Sequence, residues 1–189
     1  MHMRFSKSIT SFGRDERGAA LLEMAVVFPV VLTISLGVIE FGNAIYSQHL
    51  IFNGVRDASR YVAGLPFMDS KDQVIDSVKV AANKVAGANI AVWGTTTTTD
   101  TCNSSSIPAM KLTRRVSWWC NASNVVVDYP IAIANNNGSG VKLYRGGAII
   151  YTVTVTATVP YQQLGFLSYL GLTAPTLKVS HMERVYGVR

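Results

Sequence analysis

Polar and apolar positions divide the chain into stretches of different period. From Ala19 to Ile39 almost every side chain is apolar. A helix of that length spans about 30 Å, the hydrocarbon thickness of a bilayer. Pro29 and Gly37 interrupt the run, and membrane helices tolerate both. Past Ile39 the apolar residues thin to steps of three and four. Phe41, Ile45, Phe52, Val55 and Val62 form a seam, with Ala44, Ile51 and Ala58 beside it. Ser47, Asn53, Arg56, Asp57 and Arg60 fall largely on the other side. The pattern predicts one helix from about Ala19 to Ala63, half in lipid and half amphipathic, ended by Gly64-Leu65-Pro66.

The rest of the chain predicts a second helix and a sheet. Asp69-Ser70 opens a helix over 70–86, with Val74, Val78, Ala81, Ala82 and Val85 as its apolar face and Gly87 as its cap. "NIAVWG" reads as a strand, followed by the low-complexity "TTTTTDTCNSSS". "NVVVDYPIAIA" and "GAIIYTVTVTATVPY" are strands around the turn "NNNGSG". The second alternates Tyr151, Val153, Val155 and Ala157 with Thr152, Thr154, Thr156 and Thr158. "GFLSYLGLTAPT" is a loop, and "LKVSHMERVYG" a final strand at a sheet edge. Two helices followed by about four strands make an α+β fold, an antiparallel sheet packed on helices.

Charge and composition narrow the picture. The 189 residues suit one membrane segment and one modest domain. Charged residues make up only 15%, lean for a soluble protein. The net charge is +6, but the basic residues are scattered, so no nucleic-acid surface is expected. Arg4, Lys7, Arg14 and Arg17 precede the apolar run, against Asp15 and Glu16. The positive-inside rule puts that end in the cytoplasm and the rest outside.

An acid inside the run is its oddest feature. Glu23 is fifth counting from Ala19, and Gly18 precedes the run. A charged side chain costs about 3 kcal/mol at mid-membrane and less near the edge. Cleavage after Gly18 would give Ala19 a free ammonium, which needs an anionic partner in lipid. Glu23 of an adjacent subunit is such a partner. Two other readings stand beside this one. An uncleaved anchor would carry Glu23 as an edge acid. An ordinary signal peptide would be cut near Gly42-Asn43-Ala44, although the run is long for that and Glu40 lies just before the site.

Short basic leader, glycine, four residues, glutamate and apolar helix together resemble type IV prepilins and pseudopilins. The stretch Ala20 to Gly64 further resembles the TadE-like family of tight-adherence pilus-assembly proteins. The residues that carry this are Glu23, Pro29, Gly37-x-x-Glu40-Phe41-Gly42, Tyr46, Arg56 and Ala58-Ser59-Arg60-Tyr61. The resemblance implies a minor pilin or pseudopilin of a Flp-type pilus system. It implies a leader, residues 1–18, cut between Gly18 and Ala19 by a prepilin peptidase. It implies an inner-membrane helix over 19–40, and a periplasmic domain over 41–189. The implied partners are the peptidase, the inner-membrane platform, the major Flp-type pilin and other minor pilins. Met24 stands where Flp major pilins usually carry Tyr, and the C-terminal domain is far larger than theirs. Both points argue against the major subunit.

Candidate chemistry adds little. Cys102 and Cys120, the two cysteines, lie in a polar stretch beyond the apolar run. If that part is exported they are expected to form a disulfide, whereas in a cytosolic domain they would be two unpaired thiols. Trp118-Trp119 reads as core beside it. His2, His49 and His181 stand apart, with no metal-ligand spacing. With no GxSxG, no P-loop and no catalytic arrangement among the acids, neither an enzyme nor a cofactor is expected. Phe166, Leu167, Tyr169, Leu170 and Leu172 form an apolar cluster with two readings. It is a flap over the sheet, or a contact with another pilin or the bilayer surface.

Overall fold

The computed structural model describes residues 16–69, 74–96, 115–116, 118–145 and 147–186. Residues 1–15 of the expected leader, Lys71, Asp72 and most of the low-complexity stretch with Cys102 lie outside them.

One helix, α1, runs unbroken from Glu16 to Gly64. Its first half is exposed on every side up to Leu36. Its second half buries Ile51, Val55, Ala58, Val62 and Ala63 completely. The buried stripe passes back through Ser47 and Ala44 to Glu40, in steps of three and four. The expected seam is therefore misplaced at its start. Phe41 and Ile45 lie one position further on, about 100° round the helix, and both face outward. Ser59, fully buried on the inner side, returns its hydroxyl proton to the Arg56 carbonyl at 2.9 Å.

Helix α2, Ser77–Trp93, departs more from expectation. It starts after Asp76, whose Oδ1 accepts the Val78 and Lys79 N–H groups at 2.9 and 3.3 Å. It ends at Gly94, which takes the left-handed conformation, φ 75°, and donates its N–H to the Ile90 carbonyl at 2.9 Å. "NIAVWG" is thus the end of this helix and its cap, not a strand. Gly87 lies inside the helix, not at its cap. The expected apolar face is exposed, Val74, Val78 and Val85 included. The inner stripe is Val80, Asn83, Gly87, Ile90 and Ala91. Asn83 and Gly87 dilute that stripe, so the outer one has the stronger hydrophobic period. Asn83 sits there to donate its side-chain N–H to the Pro66 carbonyl at 3.0 Å.

The two helices touch closely at Gly54. A Cβ there would run into the Ala91 carbonyl oxygen and come within 2.8 Å of Arg115 Cδ. Across the junction between helices, Phe67 is fully buried and meets Tyr129 and Tyr151 edge-on at 5.5 and 5.0 Å.

Among the described residues three strands, not about four, follow: β1 Val125–Ala134, β2 Ile149–Pro160 and β3 Thr176–Arg184, antiparallel in the order β1-β2-β3. The missing strand is the segment that α2 absorbs. Alternation in β2 holds from Val153 onward, where Val153, Val155, Ala157 and Val159 are buried and Thr158 faces out, but it fails before that: Thr152 is buried and Tyr151 only partly so. Pairing Ala157 with Val125 and with Val179 aligns these inward faces across the sheet. Helix α1 lies across β2 and β3, and α2 across β1. The β1–β2 loop is held by buried Asn135, which bonds Tyr144 twice and the Gly147 carbonyl once, each at 2.9 Å. Between β2 and β3 the chain forms one helical turn, α3, Phe166–Tyr169.

Candidate functional site

The lipid-length half of α1 carries the expected processing and assembly residues. Gly18, Ala19 and Glu23 are all exposed on it, with the Gly18–Ala19 bond in the first helical turn. Glu23 lies one turn beyond Ala19 on the same face. It has no ion-pair partner among the described residues. Up to Leu36 none of the described residues covers this half, which is long and apolar enough to cross a membrane once. Exposed Leu21, Leu22, Phe28 and Ile34 make this half a continuous apolar surface, which favours lipid or a protein partner over water.

The two hydroxyls in this half bond back to the helix itself. Pro29 lacks an N–H and leaves one helical bond unmade. Thr33 Oγ1 donates to the Pro29 carbonyl at 2.7 Å, and Ser35 Oγ to the Val31 carbonyl at 2.8 Å. Both hydroxyls are thus satisfied without water, as a lipid setting requires.

Where α1 leaves the apolar run, the structure builds a polar joint. Glu40 is only 3% exposed. Its Oε1 accepts the Leu164 N–H at 2.9 Å, from a residue 124 positions on. The Tyr161 hydroxyl donates to the Glu40 carbonyl at 3.3 Å and accepts from Asn43 Nδ2 at 2.7 Å. Burial, with a smaller contribution from Glu40, raises the Tyr161 hydroxyl above the usual tyrosine range, and the Asn43 bond opposes it. Glu40 Oε2 is buried without a hydrogen-bond partner. Phe166 of α3 packs over Gly37, its ring 3.5 Å from where a Cβ would stand. Glu40, Phe41, Tyr161, Phe166 and Leu172 line a cleft of about 460 Å³ between helix and flap.

Glu40 is the buried polar residue whose packing the sequence pattern underweights. Its signal is its phase: it lies on the same stripe as Ala44, Ser47 and Ile51. The other residues of the resemblance divide by face. Ala58 and Ser59 are buried, while Tyr46, Arg56, Arg60 and Tyr61 stand on the outer surface of α1.

Further out, Asp57 of α1 pairs with Arg115 at 2.6 Å. Trp119 is buried, and Trp118 meets Tyr161 edge-on at 6.1 Å. Cys120 is disulfide-bonded, and Cys102 is the chain's other cysteine.

Residues 18–60, the span from the apolar run to the buried stripe, match the family model for TadE-like protein. No curated protein and no solved structure matches the chain. The matched stretch carries Glu23, Pro29, Glu40 and the exit glycines, and stops one residue short of Tyr61. It associates the chain with tight-adherence pilus assembly.

Proposed function

We propose that this chain, with its TadE-like helix, is a minor pilin or pseudopilin of a tight-adherence, Flp-type pilus system. Residues 1–18 are a leader removed by a prepilin peptidase. Residues 19–40 cross the inner membrane, and residues 41–189 form a periplasmic head. The Ala19 ammonium pairs with Glu23 of a neighbouring subunit and sets helix register in the assembly. The partners are the platform, the major pilin and other minor pilins, and the role is structural, not enzymatic. The observation that carries this reading is an uncovered apolar helix with one unpaired acid near its start, inside the TadE-like match.

Intact mass and N-terminal sequencing of the protein from its native membrane test the reading. A chain beginning at Ala19 supports it. A start near Ile45 would mean an ordinary secreted domain. A Gly18→Val variant should keep the uncut mass. Removing one partner of a buried ion pair costs about 3 kcal/mol. Glu23→Ala should therefore spare cleavage and insertion but lower co-purification with other pilins by about a hundredfold. Normal assembly of that variant would sink the charge-pairing idea.

A second reading is an uncleaved membrane scaffold of the same machinery. In that reading α1 stays one continuous helix through the Gly18–Ala19 bond, as it runs here. Retention of Met1 in the mature protein would select it.

A further inference from the structure

The apolar flap between β2 and β3 is not part of the core. Tyr169 is 87% exposed, and Leu164, Leu170 and Leu172 are also on the surface. The stretch 164–172 carries no charged residue. Yet the flap is fastened to α1 at a defined height. Phe166 packs on Gly37, which belongs to the membrane-length run. The Leu164 N–H is held by Glu40, the first residue after that run. Gly165 and Gly171, at φ 117° and 71°, make the turns on either side of α3.

We infer that this flap is a second membrane contact, resting in the headgroup and upper acyl region of the same leaflet through which α1 emerges. The inference rests on the membrane reading of α1. If residues up to Ile39 lie in hydrocarbon, a turn packed on Gly37 is brought to the bilayer surface by geometry alone. Its exposed residues are then continuous with the lipid-facing surface of α1, where Val38, Ile39 and Phe41 are also exposed. Its residue types fit that depth. Leucines face the acyl boundary, and a tyrosine offers a ring to the apolar side and a hydroxyl to the headgroups. The Glu40 and Tyr161 bonds fix the flap against the helix, so the head is held to the surface at two points.

The test uses the full chain in vesicles of phosphatidylethanolamine and phosphatidylglycerol. A nitroxide is placed at Leu170→Cys and, separately, at Tyr169→Cys, with the native disulfide intact. Ile34→Cys gives the lipid reference and Tyr144→Cys, on the β1–β2 loop, the aqueous one. Collision with oxygen and with a water-soluble nickel complex reads depth. Labels at 169 and 170 should favour oxygen, as at 34, and differ from 144. Values matching 144 would overturn the inference. Immobile labels shielded from both colliders would show a protein partner there, and would overturn it equally. An aqueous reading at 34 would remove the membrane reading of α1 itself, and the flap contact with it.

Discussion

A single missing atom at Gly54 lets α1 and α2 approach. Gly54→Ala would force backbone apart at the Ala91 carbonyl, so it should destabilise the head by about 1–3 kcal/mol. A lowered urea midpoint would register this; an unchanged one would mean the helices can separate freely. Glu40→Ala should strand the Leu164 N–H and cost about 1–3 kcal/mol. Glu40→Gln, which keeps an acceptor, should lose less in the same assay. Tyr129 is the third such residue. Its hydroxyl donates to the Leu65 carbonyl at 2.9 Å, and burial raises it above the usual tyrosine range. Because the folded state holds this proton more tightly, stability is full below about pH 10 and falls as pH rises above it. Tyr129→Phe should flatten that alkaline fall in a melting-temperature series. At this scale Glu23 was legible because one acid stands out in an apolar run. The burial of Glu40 was not, since its partner is 124 residues away.

Among elements, the ones with an undiluted period were legible and the one with a mixed period was not. Strand β2 alternates valine and threonine, and β1 and β3 follow from their neighbours. Helix α2 misleads because its inward stripe holds Asn83 and Gly87, whereas its outward stripe holds Val78 and Val85. Two aspartates also competed for its start. Asp69 precedes a serine, but Asp76 is the one whose carboxylate takes the first helical N–H groups. Asp76→Ala should therefore lower stability by about 1 kcal/mol. A matching loss from Asp69→Ala alone would point to the earlier start. The β-rich end of α2, Ile90 to Trp93, stays helical because all four side chains are buried against the rest of the core.

At the level of the whole molecule, the α+β order and the division into lipid-length and amphipathic halves could be read from the chain. The number of strands and the joint between flap and helix could not, because both depend on contacts far apart in sequence. The proposed Cys102–Cys120 bridge belongs to this scale. Closing a loop of that size stabilises by about 3 kcal/mol through the unfolded chain. Reduction of the intact protein should lower its melting temperature and leave the sheet signal unchanged at low temperature. No shift on reduction would mean the loop is already ordered without the bond.

The continuity of α1 has a mechanical consequence. Forty-nine residues in one helix make a rod of about 74 Å, from the start of the apolar run to the middle of the core. The head grips the outer part of that rod from Glu40 to Gly64, so the two cannot turn independently. A tilt of about 10° at the inner end sweeps the outer end sideways by about 13 Å. The rod therefore works as a lever. A tilt imposed on its apolar end is felt, enlarged, at the head.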